Sequence, residues 1–181
     1  MAQLEIRLSG FGGQGLITAG IILADAAIKE GKQAVQTQSY GPEARGGASK
    51  SEVIISDTTV DYPKVKEPSV LLAMSQEACD KYIDSLRDDG ILIVDSYYVK
   101  KVPETRARVY SLPITELARD KLGKVIVANI VALGVTVAIT GAVSREALEK
   151  AVLSRVPKGT EELNREALAL GFQLGQEQLE K

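Results

Sequence analysis

The sequence predicts an α/β fold, a single domain spanning residues 1–181 with a mostly parallel sheet and helices on both faces. Three observations carry this expectation. Residues 3–9 alternate with strand period and run into a glycine-rich loop and then a helix. Further strand patterns alternate with helical ones, and helices alone follow, the order of a sheet covered on both sides. The length, 181 residues, is enough for one domain to close its own core, and no repeat, low-complexity tract or linker divides it.

The elements follow in order. Leu4, Ile6 and Leu8 point one way from the first strand, and Gln3, Glu5 and Arg7 the other. Gly10-Phe11-Gly12-Gly13-Gln14-Gly15 breaks the pattern, and residues 16–29 read as a helix stopped by Gly31. Residues 34–38 form a second strand, residues 39–47 a loop rich in turn residues, and residues 49–56 a third strand centred on Val53, Ile54 and Ile55. Residues 69–74 are a short apolar strand, after which Ser75 caps a helix that has Glu77 in its first turn. Residues 91–95 are nearly all apolar, as a strand buried on both faces requires. Residues 107–111 make the next strand, followed by a helix with Pro113 at its first position. Residues 125–139 are a long apolar stretch. Ser144 caps a helix over 145–153, and Thr160 caps a final one on which Leu163, Ala167, Leu170 and Leu174 recur at helical spacing.

Two of these helices are apolar around most of their circumference. Residues 16–28 are interrupted only by Thr18, Gly20 and Asp25, and residues 125–139 only by Asn129, Gly134 and Thr136. Fifteen residues fall short of the roughly 20 a membrane span needs, so no membrane role is expected. Such helices are buried all round, either in the domain's own core or against another subunit, and in a small chain we expect the second.

Composition excludes much. Apolar residues at 45% and charged residues at 25% are ordinary for a globular chain, which argues against disorder. The net charge of -2 and scattered Lys and Arg offer no nucleic-acid footprint. The N-terminus lacks an export pattern, so a cytoplasmic location is expected. There is no histidine and one cysteine, Cys79. The chain alone therefore holds no four-cysteine iron–sulfur cluster, no histidine-ligated metal and no nucleophile–histidine pair. Cys79 reads as a structural thiol. Ser51, Asp95 and Tyr97 read as cap, strand-end or surface residues, so no catalytic residue is assigned to this chain.

Gly10, Gly12 and Gly15 fit the G-x-G-x-x-G spacing between a strand and a helix, with Gly13 adding further room. A helix N-terminus behind glycines attracts anions, and glycines admit close approach by another group. A dinucleotide site also requires an acid near the end of strand two. That region reads Gln33-Ala34-Val35-Gln36-Thr37-Gln38, with neither an acid nor an Arg. What remains is a phosphate of another ligand, a partner's backbone, or helix–strand packing alone. The second motif, Ser39-Tyr40-Gly41-Pro42-Glu43-Ala44-Arg45-Gly46-Gly47, is a conformationally specified loop whose Arg45 could grip a carboxylate or phosphate. A parallel sheet would bring both loops to the carboxyl ends of adjacent strands.

Residues 9–15, S-G-F-G-G-Q-G, paired with residues 39–47 and followed by Ala48-Ser49-Lys50-Ser51-Glu52-Val53, closely resemble the gamma subunit of 2-oxoacid:ferredoxin oxidoreductases. Residues 129–134, N-I-V-A-L-G, resemble it too, and the resemblance covers nearly the whole chain. It leans to the 2-oxoglutarate type over the pyruvate type. It implies a Rossmann-like gamma domain in a hetero-oligomer with alpha and beta subunits, and a delta subunit in some arrangements. Such complexes use thiamine diphosphate with Mg2+, iron–sulfur clusters and coenzyme A, and deliver electrons to ferredoxin; this chain is expected to bind none of these cofactors alone. Gly10, Gly12, Gly13 and Gly15 match the family's first loop and Tyr40, Gly41, Glu43, Arg45, Gly46 and Gly47 its second, and the helix N-terminus with Arg45 leads us to expect that they shape a wall of the coenzyme A pocket. A pyruvate or indolepyruvate gamma subunit, a free-standing nucleotide-binding protein and a pure scaffold remain as alternatives. Self-association of the isolated chain is left open.

Overall fold

A computed structural model describes residues 3–39 and 48–181. Its six strands form one sheet in the order β2-β3-β1-β4-β5-β6. They are β1 (Gln3–Phe11), β2 (Gln33–Gln38), β3 (Ala48–Ser56), β4 (Val70–Ala73), β5 (Ile91–Asp95) and β6 (Arg108–Leu112). The helices are α1 (Leu16–Lys29), α2 (Gln76–Tyr82), α3 (Ile114–Leu122), α4 (Ala128–Thr140), α5 (Arg145–Arg155) and α6 (Glu161–Leu179). The predicted α/β domain with a mostly parallel sheet is what forms.

One strand departs from the parallel order. β3 runs antiparallel to both β1 and β2, whereas β1, β4, β5 and β6 pair in parallel. The cause lies in the connection: a parallel crossover needs a dozen or more residues, and the stretch from Gln38 to Ala48 is too short for one. β3 therefore inserts between β1 and β2. The carboxyl ends of β1 and β2 reach the same edge of the sheet but are not adjacent, which corrects the expected placement of the two loops.

The sheet's faces are covered unequally. Ile6, Leu8, Val53, Ile55, Leu72 and Ile93 point into a core shared with α1, α3, α4, α5 and α6. On the other face Leu71, Ala73, Leu92 and Val94 pack against α2, where Cys79 and Tyr82 are buried. That second face also holds a buried ion pair. Arg7 reaches Glu52 at 2.8 Å and donates to Ser85 Oγ at 2.6 Å and to the Val65 carbonyl at 3.0 Å. A guanidinium with this many partners is tolerated inside; removing Glu52 would leave it costly.

Local signals are honoured at three helix ends. Ser75 Oγ accepts from the Ala78 amide at 3.2 Å, and Ser144 Oγ from the Ala147 amide at 3.1 Å. After α1 the Lys32 amide returns to the Ala27 carbonyl at 3.0 Å, the closing bond of a Schellman turn around Gly31. Two expectations fail. Thr160 makes no capping bond to α6; its hydroxyl donates to the Pro157 carbonyl at 2.6 Å instead. Pro113 stands just before α3 and has no side chain to cap it, so the buried Asp95 at the end of β5 does so across the fold, accepting from the Thr115 amide at 3.2 Å.

The apolar stretch 125–139 divides. Residues 125–127 form a single 3₁₀ turn, and α4 is buried along nearly its whole length. The domain's own elements cover α4, so its burial requires no partner subunit, while Val125 and Ile126 on the turn before it are exposed. α6 provides the tightest cover, backbone against backbone. A Cβ at Gly134 would lie 2.7 Å from the Leu168 carbonyl oxygen, and one at Gly171 would lie 2.1 Å from that of Val131. Any side chain at either position forces the helices apart. Gly171→Ala is expected to cost about 3 kcal/mol and lower Tm by about 10 °C. Thermal unfolding followed by circular dichroism measures this, and a melting point within two degrees of the parent, on the order of experimental scatter, would refute the contact's importance.

Candidate functional site

β1 ends at Phe11, paired with Ala48 of β3, so the glycine loop begins at the carboxyl edge of the sheet. Gly12 and Gly13 form its exposed tip. The chain then turns through positive φ at Gly13 (+93°) and Gly15 (+78°) to start α1. Gly15 occupies the N-cap position in the left-handed region, which a residue with a Cβ enters at a cost of about 1–2 kcal/mol. A Cβ there would also lie 2.6 Å from Asn129 Nδ2. Asn129, in the first turn of α4, donates to the Gly15 carbonyl at 3.1 Å and so ties the loop to the core.

Gln14 ties the other side. Its Oε1 accepts from the Phe11 amide at 2.8 Å, and its Nε2 donates to the Met74 carbonyl at 2.9 Å. Met74 follows β4, and its own amide donates to the Ser9 carbonyl at 2.8 Å. The Gln14 side chain therefore bridges the ends of β1 and β4, filling the space over Gly10. The Phe11 amide, a donor that an approaching phosphate would use, is already satisfied by the chain itself. The loop is a braced wall.

Between this loop and the 125–127 turn lies a cavity of about 120 Å³. Phe11, Gly13, Gln14, Met74, Tyr98, Thr115, Val125, Ile126 and Ala128 line it. Phe11 and Tyr98 meet edge to face with ring centres 5.1 Å apart, and Tyr97 continues the aromatic row at 4.8 Å. Among the described residues no carboxylate, amine or thiol opens into it. Its position beside β1 and β4 is where the direction of chain crossing reverses, the usual ligand-binding edge of an open α/β sheet.

The remaining candidates divide sharply. Tyr40, Gly41, Glu43, Arg45, Gly46 and Gly47 lie outside the described residues. Ser51 is buried in the interior of β3, accepting from Gln36 Nε2 at 3.0 Å, and α1 comes so close at Gly20 that a Cβ there would lie 2.0 Å from Ser51 Oγ. It is neither a cap nor a surface residue, because the helix requires a small residue beneath it. Asp95 is buried and receives bonds from the Thr115 hydroxyl and amide and the Tyr97 amide. Burial raises its carboxyl above the ordinary range, and the donors from Thr115 and Tyr97 oppose that rise. It serves as a cap for α3, in keeping with its place at a strand end. Cys79 is buried under α2; burial, and then the charge of Asp80, push its thiol up to about 11. Among the described residues no three His, Cys, Asp or Glu side chains converge as metal ligands. No helix of the described residues is long and apolar enough to cross a membrane. Sequence reasoning missed Gln14 and Asn129 as the residues that set the loop; the available signal was an amide, donor and acceptor at once, lodged between glycines.

Residues 5–174 match the family model described as pyruvate ferredoxin/flavodoxin oxidoreductase. The chain is 53% identical over 176 residues to the 2-oxoglutarate synthase subunit KorC of Methanocaldococcus jannaschii, covering 96% of this chain and 94% of that one. It is 56% identical, with a TM-score of 0.90, to the solved gamma subunit of a keto/oxoacid ferredoxin oxidoreductase from Geobacter sulfurreducens, over 97% of each chain. The solved 2-oxoglutarate:ferredoxin oxidoreductase of Magnetococcus marinus, with 2-oxoglutarate, coenzyme A and succinyl-CoA bound, shares the fold at a TM-score of 0.85 and 22% identity; the match covers 98% of this chain and 32% of that longer one.

Two outcomes test this geometry. Gln14→Ala removes both braces and is expected to lower stability by about 1–2 kcal/mol and to speed hydrogen exchange at the Phe11 amide. Unchanged exchange at Phe11 would show that Gln14 does not hold the loop. The Cys79 thiol, raised from 9.0 to about 11, should stay unalkylated by iodoacetamide at neutral pH in the folded chain and react once urea unfolds it. Because the folded value is the higher, the thiol's contribution to stability is intact below 9.0 and is lost as pH climbs through about 11. Rapid labelling of the native chain would contradict its burial.

Proposed function

The chain belongs to the pyruvate ferredoxin/flavodoxin oxidoreductase family, as a gamma subunit of the 2-oxoglutarate:ferredoxin oxidoreductase kind, and we propose that in its complex it forms one wall of the coenzyme A end of the site without transferring protons itself. The observation that carries this reading is the chemistry of the cleft. It is concave, aromatic on one side and bordered by glycine backbone on another, and the described residues bring no carboxylate, amine or thiol to it. Such a surface shapes and excludes water; another chain must supply the reacting groups.

In this reading thiamine diphosphate with Mg2+ belongs to the alpha and beta subunits, the iron–sulfur clusters to beta, delta or fused ferredoxin-like parts, and ferredoxin is reached through the complex. The residues present here do not fit either role. Cys79 is single, buried and held protonated, and the described acids do not converge. We therefore derive no step of the reaction from a cofactor on this chain.

The glycines 10, 12, 13 and 15 and the 40–47 segment with Tyr40, Glu43 and Arg45 are assigned to the same wall. The anionic end of coenzyme A is the natural partner of a guanidinium fork and of the positive end of α1. Reconstituted with its alpha and beta subunits, Arg45→Ala is expected to raise KM for coenzyme A about tenfold, the cost of one charge-assisted hydrogen bond, and to leave KM for 2-oxoglutarate unchanged. Normal assembly with an unaltered KM for coenzyme A would overturn the assignment.

A further inference from the structure

A cavity of about 210 Å³ opens between α1, α4 and the α5–α6 connection. Ile22, Val127, Ile130, Val156 and Leu163 form its apolar walls. Ile22, Val127 and Ile130 are buried in the core, so the hollow reaches below the surface. An apolar cavity of roughly 150 Å³ is already enough to hold a benzene ring.

The polar groups in the wall share one character. Asn164, on α6, is only 5% exposed. Its Nδ2 donates to the Thr160 carbonyl at 3.0 Å. That carbonyl can only accept, so the nitrogen is fixed toward it. The Asn164 Oδ1 is turned away from it, borders the cavity, and takes no donor among the described residues. Asn129 repeats the pattern from α4: Nδ2 is spent on the Gly15 carbonyl at 3.1 Å, and Oδ1 takes no donor among the described residues. The Thr160 hydroxyl has given its hydrogen to the Pro157 carbonyl at 2.6 Å and keeps only lone pairs. Leaving a buried acceptor without a donor is costly, so an occupant that supplies one is favoured over a purely apolar one.

Charge narrows the occupant further. Arg155 stands exposed at the rim, with Asp25 its ion-pair partner at 3.9 Å. The guanidinium opposes an ammonium, and the acceptor oxygens inside oppose a carboxylate. We propose that this cavity binds a small neutral molecule in which an aromatic ring or branched alkyl group carries an O–H or N–H donor, the donor resting on Asn164 Oδ1. Phenols and short branched alcohols are of this class. The site is independent of the coenzyme A wall, and either can fail without the other.

The test titrates the full chain with phenol and with toluene, followed by NMR of the backbone and Asn side-chain amides. Phenol should bind with a dissociation constant on the order of 1 mM and shift the resonances of Asn164 and Ile130. It should bind no more weakly than toluene, although toluene leaves water more readily, because only phenol meets the Asn164 oxygen. Asn164→Leu keeps the shape and removes the acceptor: toluene should bind as before and phenol about tenfold more weakly. Thr18→Phe, from an exposed position in the wall, should block both ligands and leave the melting point unchanged. Benzoate should bind the parent about tenfold more weakly than phenol. Absence of binding by phenol and toluene alike, or shifts confined to the cleft between Phe11 and Tyr98, overturns the site. Toluene binding tighter than phenol, or phenol affinity untouched by Asn164→Leu, overturns the role of the acceptor. Benzoate binding tighter than phenol makes Arg155 the recognising group and overturns the ligand class. Should Asn164→Leu fail to fold, the order of the three ligands on the parent and the block by Thr18→Phe decide.

Discussion

α4 has no polar face, and the chain has to surround it. Its two threonines are turned back on the helix: Thr136 donates to the Ala132 carbonyl at 2.8 Å and Thr140 to that of Thr136 at 2.7 Å. With both threonines satisfied internally, the helix must be enclosed, and the sheet, α1, α3, α5 and α6 enclose it. Much of the rest follows. α6 has to approach closely enough for Gly134 and Gly171 to touch, because a gap would leave apolar surface without contacts. The first turn of the enclosed helix then carries Asn129 to the Gly15 carbonyl, and the turn before it is pushed outward to the surface. The core helix thereby positions both the glycine loop and the 125–127 turn beside it.

The elements of the fold were legible wherever one physical signal dominated. Period-two alternation located β1, and Ser75 and Ser144 marked two helix starts through the bonds they make. The errors came where a signal had two outcomes. Thr160 has a hydroxyl that could cap α6, but the Pro157 carbonyl lies within reach and takes it. An apolar run signals burial without saying against what, and α4 proved to be covered from within while Val125 and Ile126 stand exposed before it. The direction of β3 was available in principle, because the short connection before it forbids a parallel crossover. Alternating helix and strand patterns elsewhere masked that exception.

The candidate site was legible in outline and obscure in mechanism. The missing acid after strand two argued against a dinucleotide, and the fold adds a geometric reason: β3 separates β2 from β1, so the end of the second strand does not border the glycine loop. The role of Gln14 could not be read from spacing, because it depends on Met74 arriving from a strand sixty residues on. Asn129 likewise acts at a distance of 114 residues. Such long-range amide bonds leave no local period. The resemblance of the two loops to a known family supplied what local physics did not, and it identified the branch that the comparisons then bore out.

The backbone contact between α4 and α6 bears on how the chain is made. α4 emerges from the ribosome first, with one flank bare until α6 has been synthesised and docked. Nothing earlier in the chain can substitute, since only glycines at matching positions allow the two backbones to meet. During translation the nascent domain presents a greasy, uncovered groove, the kind of surface that chaperones shield and that aggregates when they do not. The core of this subunit closes only when its last helix is made.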